Sequence, residues 1–154
     1  RLIINLEKLY LSIKKLNLKS GNIDEYYNLT HQLGIPQIDT KKLQNKIFGI
    51  ECNFEELNAI DFKKGCYVGQ ENTARIKLKN KLSKKLFPIK VDDNKINSND
   101  LITKNNKEVG KVLIDGRYPF AVFKLNEINL KFDEIYECNS SKIKIIQTDM
   151  QKKI

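Results

Sequence analysis

The hydrophobic periodicity of the chain changes near residue 80, and this change restricts the possible folds more than any other feature. Before it, apolar residues recur mainly at spacings of three and four, the period of an amphipathic α-helix. Beyond Leu82 they form short runs separated by turn residues, which is the pattern of antiparallel strands. We therefore predict a chain in two parts, a largely helical one from residue 5 to about residue 80 and a small antiparallel β-barrel or sandwich beyond Leu82.

Three helices and one helical turn are predicted in the first part, from apolar spacing, capping residues and a proline stop. They are residues 6–16 capped by Asn5, a helix from Asn22 or Asp24 to Gly34 that Pro36 prevents from continuing, a helix from Asp39 or Thr40 to Ile47, and a turn over 54–57 capped by Asn53. In the second helix we expect Tyr26, Tyr27, Thr30 and Leu33 to face inward. His31 is expected on the helix surface, with no metal partner.

Strands are predicted in the second part over Leu86–Val91, Glu108–Ile114, Tyr118–Leu125 and Lys142–Thr148. The pair Asp115-Gly116 suits a tight hairpin turn, because glycine accepts a positive φ. Pro88 limits the first strand to a sheet edge or a bulge, because proline cannot donate a ladder hydrogen bond.

The net charge of +9, from 28 Lys and Arg against 19 Asp and Glu, taken alone suggests an anionic partner. However, 25 of the 28 cations are Lys, and the chain also has 17 Asn and 20 Ile. This is the composition of a background bias toward those three residues, whereas surfaces that read phosphates or bases favour Arg. We therefore expect no direct nucleic-acid binding.

The sequence also limits the compartment and the kinds of site. No apolar run approaches the ~20 residues that span a bilayer, and no signal peptide is recognisable, so no membrane partner is expected. Three cysteines without C-x-x-C spacing predict neither a disulfide framework nor a self-contained metal site, and favour the reducing cytoplasm. Because the chain begins Arg-Leu-Ile-Ile, we expect a fragment of a longer protein.

The most unusual stretch is Phe62 to Arg75, in which two glycines four residues apart enclose Cys66-Tyr67. A helix is predicted after Gly69, so Cys66 would lie just before a helix amino terminus and close in sequence to Lys63 and Lys64. Both features favour the thiolate and lower the pKa of a cysteine. The alternative is that the glycines shape a turn and Cys66 is a small buried apolar residue.

The run Lys64-Gly65-Cys66-Tyr67-x-Gly69-Gln70-Glu71-x-x-Ala74-Arg75 resembles the signature of the YgfZ family of folate-binding proteins. Leu33-Gly34-Ile35-Pro36, Glu51-x-Asn53-Phe54-x-x-Leu57 and Val109-Gly110 resemble weaker family patterns, so the resemblance covers most of residues 25–125. The sequence departs from the family pattern at His31, where Arg is frequent, at Gly49 and at Lys79-Asn80.

The resemblance implies a fold and a function. Residues 1–80 would be the carboxyl-terminal part of a ferredoxin-like α+β domain, as in the aminomethyltransferase called T protein, and residues 81–154 a carboxyl-terminal β-barrel. The cofactor would be tetrahydrofolate or a derivative, and the partners iron-sulfur enzymes or cluster-assembly proteins. An amino-terminal half of the same protein would complete the folate pocket.

The same resemblance assigns roles to individual residues. Cys66 would be a functional thiol that handles a sulfur, persulfide or cluster intermediate. Glu51, Tyr67 and Gln70 are candidate folate ligands, because a carboxylate or an amide can pair with a pterin edge and a tyrosine can stack on it. The residues with a structural role in the signature are Lys64, Gly65, Gly69, Glu71 and Arg75.

Two other functions stay open. The barrel could be a basic nucleic-acid-binding module, although it lacks an aromatic and basic stripe for stacking bases. The longer protein could also catalyse aminomethyl or methyl transfer. Whether the chain belongs to an enzyme is undecided, because a catalytic carboxylate would lie in the amino-terminal half.

Overall fold

The computed structural model describes residues 4–64, 70–78, 82–92, 96–128 and 134–148, and it confirms the change from helices to strands. The helices are α1 (Leu6–Leu16), α2 (Ile23–Gln32) and α3 (Gln70–Leu78), with two short 3-10 helices, η1 (Thr40–Leu43) and η2 (Gly49–Cys52). The strands are β1 (Lys84–Val91), β2 (Leu101–Lys104), β3 (Lys107–Ile114), β4 (Phe120–Lys124), β5 (Ile135–Cys138) and β6 (Ser141–Ile145).

The six strands form a closed antiparallel barrel in the order β1-β4-β3-β2-β5-β6. Closure depends on β1, which pairs with β4 over residues 84–88 and with β6 over residues 89–91. Pro88 lies where β1 changes partner. The predicted sheet edge is absent, since the barrel is closed, and the N–H that proline lacks instead falls at the junction between the two ladders. The Pro88 carbonyl still accepts a hydrogen bond from the Ile146 N–H at 2.9 Å.

The barrel interior is filled by apolar side chains that alternate along the strands. Phe123 packs against Phe87 and Tyr136 with ring centroids 5.9 Å and 5.2 Å apart, and all three are fully buried. The remaining members of this core cluster are Ile89, Ile96, Ile102, Val109, Val112, Ala121, Ile128, Cys138, Ile143 and Ile145.

The predicted β3–β4 hairpin is present, but its loop is longer than a two-residue turn. It runs from residue 115 to residue 119, with Gly116 at φ +85° as expected. Asp115 does not act only as a turn residue, since its carboxylate pairs with Lys42 and accepts a hydrogen bond from the Ser98 N–H at 2.8 Å. The loop is therefore tied to the helical part of the chain.

The helical part covers one outer wall of the barrel. A second buried cluster joins Cys52 of η2 to the outward-facing residues of β1, β3 and β4, with Leu43 and Ile47 packed against it. The third predicted helix is reduced to η1. Asn53 was predicted as a helix N-cap, but it is the C-cap of η2 at φ 64°, and its Nδ2 donates to the carbonyls of Gly34 and Leu86.

Helix α1 forms as predicted. Asn5 caps it by accepting a hydrogen bond from the Lys8 N–H at 2.9 Å, and Asn17 ends it in a left-handed conformation. None of its residues is buried. Among the residues described above, no helix is long and apolar enough to cross a membrane.

Candidate functional site

The signature stretch is described only in part. Cys66, Tyr67, Gly65 and Gly69 lie outside the described residues, and for Gln70 and Glu71 only the backbone is described. The helix predicted after Gly69 is confirmed as α3, which begins at Gln70. Lys64 and Arg75, the first and last residues of the signature, are both exposed at the surface.

The segment before the signature, residues 51–56, is tied to its surroundings by ion pairs. Each of its three glutamates pairs with a lysine on α3 or β1. The pairs are Glu51 with Lys84 at 3.7 Å, Glu55 with Lys77, and Glu56 with Lys85. The segment thus connects α3, which carries the end of the signature, to the first barrel strand.

The Lys85–Glu56 pair is the buried member of this set. The Lys85 side chain is 2% exposed, and its ammonium donates to one carboxylate oxygen of Glu56. The other carboxylate oxygen has no hydrogen-bond partner among the described residues. Removing Glu56 would leave the buried ammonium of Lys85 uncompensated, which is strongly destabilising.

Glu51, the candidate folate ligand, is buried in η2. Its Oε2 accepts a hydrogen bond from the Phe48 N–H at 2.8 Å and lies 3.7 Å from the Lys84 ammonium. The Glu51 side chain is only 5% exposed. In this position the carboxylate stabilises the start of η2, and little of its surface is accessible to a pterin.

The two described cysteines are unreactive by their surroundings. Cys52 and Cys138 are both buried free thiols. Burial, together with the nearby carboxylates of Glu51 and Asp100, raises the pKa of each thiol to about 11. Neither can be a thiolate near neutral pH.

His31 is not the helix-surface residue that we predicted. It is 7% exposed, and its Nε2 donates a hydrogen bond to the Pro119 carbonyl at 2.8 Å. Its ring packs edge-on against Phe120 at 5.1 Å and lies 5.8 Å from Tyr118. Burial lowers the pKa of His31, although the bond to Pro119 opposes that shift.

The burial of His31 could have been predicted from the helical spacing of the sequence. His31 lies four residues after Tyr27, on the stripe predicted to face inward. A second contact comes from the β3–β4 loop, where the Arg117 guanidinium lies 2.8 Å from the Asp24 carboxylate. An open cleft of about 390 Å³ lies between the two elements, and its lining residues are Asp24, Glu25, Asn28, His31, Arg117 and Tyr118.

Within residues 4–64, 70–78, 82–92, 96–128 and 134–148, no group of three or more His, Cys, Asp or Glu side chains is arranged to hold a metal ion.

Comparison with known proteins gives partial matches. No family model matches the chain. It is 35% identical over 72 residues to the Mus musculus protein "Iron-sulfur cluster assembly factor IBA57, mitochondrial", covering 47% of this chain and 20% of that protein. It is 34% identical over 90 residues to the Dictyostelium discoideum homologue of that factor, covering 58% and 22%.

A bacterial relative also matches. The chain is 40% identical over 70 residues to "tRNA-modifying protein YgfZ" of Buchnera aphidicola, covering 44% of this chain and 22% of that protein. The matched region therefore spans about a fifth of the length of each of these relatives. Because the first two are named as mitochondrial, the expected cytoplasmic location of this chain stays a prediction.

Proposed function

The chain is related to the YgfZ family, as its signature predicted, and from this relation we propose that it acts in iron-sulfur cluster assembly or repair and in iron-sulfur-dependent tRNA modification. Its relatives carry the names of cluster assembly factors and of a tRNA-modifying protein. The proposal is for an accessory protein whose partners are iron-sulfur enzymes or cluster-assembly proteins.

The observation that carries the proposal is the signature itself, with nine specified residues in the twelve from Lys64 to Arg75. The structure supports one part of its chemistry, because α3 starts four residues after Cys66. Unsatisfied N–H groups and the helix dipole at such a terminus favour a nearby anion. With Lys63 and Lys64 exposed close by in sequence, these groups would stabilise a thiolate at Cys66.

The other two thiols support the same choice by contrast. Cys52 and Cys138 are buried, and their pKa values are near 11. Cys66 is therefore our candidate for sulfur or persulfide transfer, since the thiolate is the reactive form of cysteine.

We propose further that the longer protein binds tetrahydrofolate in an α+β domain like that of the T protein. The support for this is the family resemblance. It does not come from the geometry of Glu51, whose carboxylate already bonds the Phe48 amide. If Glu51 does contact folate, it must serve both partners.

The test of the proposed function is a single substitution in the full-length protein. Cys66→Ala should abolish support of an iron-sulfur tRNA-modifying enzyme in cells that lack the native protein, measured as the level of the modified nucleoside. The melting temperature should stay within about 2 °C of the wild type, which corresponds to roughly 0.5 kcal/mol, because the role proposed for Cys66 is chemical and not structural.

The matched control is Cys138→Ala, which removes the same side chain from the barrel core. This variant should be less stable but should still support tRNA modification. Undiminished modification with Cys66→Ala would remove the thiol from the proposed mechanism.

A further inference from the structure

The side chain of Lys77 connects the parts of the chain that lie before and after the signature. Lys77 belongs to the last turn of α3, two residues after Arg75, where the signature ends. Its ammonium pairs with the Glu55 carboxylate and lies over the ring of Phe62, 5.5 Å from the ring centroid. Both Glu55 and Phe62 precede the signature in the sequence. One lysine therefore ties the segment that enters the motif to the helix that leaves it.

The segment before the signature is itself held in place. Backbone hydrogen bonds of 2.7–3.0 Å keep residues 53–59 in consecutive turns. The pair between Glu56 and the buried Lys85 attaches this segment to β1. Closer to the motif, the Asp61 carboxylate accepts a hydrogen bond from the Lys63 N–H at 2.9 Å, as in an Asx turn. The groups that receive the lysine of α3 therefore have defined positions.

Helix α3 has no buried face among its described side chains to fix its orientation. It has nine residues, and isolated helices shorter than ~12–15 residues are marginal in water. The side chains described on it are those of residues 73–78, and none of these is buried. The contacts of Lys77 therefore matter more for the orientation of α3 than they would for a helix with a buried apolar face.

The two contacts of Lys77 are weak individually, but they share one ammonium. The side chains of Lys77 and Glu55 are 45% and 37% exposed, so solvent screens their ion pair. A cation over an exposed aromatic ring adds a contribution of similar size. Together the two contacts favour one orientation of the helix by a factor on the order of two to five. An effect of this size changes a reaction rate measurably without unfolding the protein.

We propose that Lys77 is a positioning residue for the signature, because through Glu55 and the Phe62 ring it sets the orientation of α3 relative to the chain that enters the motif. This inference rests on the proposed function, in which the start of α3 favours the thiolate of Cys66. Helix α3 begins seven residues before Lys77, about 10 Å away along the axis. A small rotation about Lys77 therefore displaces the first N–H groups of the helix.

Three variants of the full-length protein that change the charge differently test the proposal. Lys77→Met removes a positive charge, Glu55→Gln removes a negative charge, and Phe62→Leu changes no charge. If Lys77 positions α3, all three should slow the alkylation of Cys66 by iodoacetamide at neutral pH about two- to fivefold. If only the charges act on the thiol, Lys77→Met should slow the reaction, Glu55→Gln should accelerate it and Phe62→Leu should have no effect.

The matched control is Lys107→Met. Lys107 pairs with Glu127, and this ion pair includes neither α3 nor the segment before the signature. The control should leave the alkylation rate unchanged, and Lys77→Arg, which can keep both contacts, should react like the wild type. Hydrogen exchange of the α3 amides of residues 74–78 checks the cause. It should become faster in the three test variants and stay unchanged in Lys107→Met.

Opposite changes of the Cys66 rate in Lys77→Met and Glu55→Gln would overturn the proposal, and so would unchanged rates in all three variants. Faster exchange in α3 with an unchanged Cys66 rate would also overturn it, because the helix would then move without an effect on the thiol. Alkylation and hydrogen exchange need no client enzyme. A failed Cys66→Ala test of the proposed function would therefore be distinguishable from a failure of this inference.

Discussion

At the scale of single residues, asparagine occupies most of the left-handed backbone positions of this protein. Nine non-glycine residues in the described ranges have a positive φ, and all but Asp39 are asparagines. Asparagine tolerates this conformation because its short polar side chain can bond to the local backbone. At least eight of the 17 asparagines therefore have a structural purpose beyond a compositional bias.

The cysteines show how much the surroundings of a side chain decide its chemistry. The three cysteines have the same side chain and differ only in its surroundings. Burial raises the pKa of Cys52 and Cys138 to about 11, whereas Cys66 precedes the start of α3 and follows two exposed lysines. A difference in reactivity among the three is therefore expected.

Alkylation with iodoacetamide in the native protein tests this difference. The alkylation rate of Cys66 should reach half its maximum below pH 8.5, because an ordinary free thiol has a pKa of about 8.5. Cys52 and Cys138 should stay unmodified up to pH 9, because their thiolates form only near pH 11. Peptide mapping by mass spectrometry separates the three sites.

The control is the same titration in guanidinium chloride, where all three cysteines should react alike with a midpoint near 8.5. A native midpoint for Cys66 at or above that value would show that the helix start and the lysines do not favour its thiolate.

At the scale of elements, the docking of α2 on the barrel depends on a small set of polar contacts. His31 bonds the Pro119 carbonyl, Arg117 pairs with Asp24, and the Tyr118 hydroxyl donates to the Asp24 carbonyl at 3.2 Å. The charged groups that line the cleft with His31 are those of Asp24 and Glu25 on α2 and of Arg117 in the β3–β4 loop. His31 is the buried member of the set, so its protonation state affects how well α2 is held.

This arrangement predicts a loss of stability in mild acid. Because burial lowers the pKa of folded His31 below the unfolded value of about 6.5, the folded state binds fewer protons. The contribution of His31 is therefore complete above pH ~6.5 and is lost as the pH falls from there through the folded pKa. Each ~1 kcal/mol lost should lower the melting temperature by roughly 2–4 °C.

His31→Gln provides the control, because the glutamine amide can still donate to Pro119 but does not titrate. The chain has a single histidine, so the difference between the two pH profiles from 7.5 to 5.0 isolates this residue. Parallel profiles for the wild type and the variant would mean that His31 carries no pH dependence.

At the scale of the whole molecule, the barrel and the helical part share buried surface. The outer wall of β1, β3 and β4 packs against η2 and the residues around η1. Lys85 extends from β1 to Glu56 in the segment before the signature. Changes in the barrel can therefore reach α3 through a short series of direct contacts.

Ligand-dependent melting of the full-length protein separates the proposed function from the nucleic-acid alternative. Tetrahydrofolate at 100 times its dissociation constant should stabilise the folded state by about 2.7 kcal/mol, which raises the melting temperature by about 5–10 °C. We expect RNA to produce no comparable shift at 150 mM salt. RNA binding that falls steeply between 50 and 200 mM salt, without a folate effect, would favour the basic module instead.

Much of the fold was predictable because it is encoded locally. Asn5 and the spacing after it specified α1, and Asp115-Gly116 specified the β3–β4 hairpin. By contrast, β2 and β5 were missed, since four-residue strands carry too little alternation to be recognised. The aminomethyltransferase-like arrangement and the division at residue 80 stay predictions, as do the roles of Tyr67 and Gln70.

The amino-acid sequence by itself determined the helix starts, the positive-φ positions suited to asparagine and glycine, and the signature around Cys66. Each depends on residues within a few positions of one another. Only the tertiary structure decided that the strands close into a barrel, that His31 is buried and that Lys85 pairs with Glu56. Those contacts join residues from 29 to 88 positions apart, and no local pattern specifies which distant partners will meet.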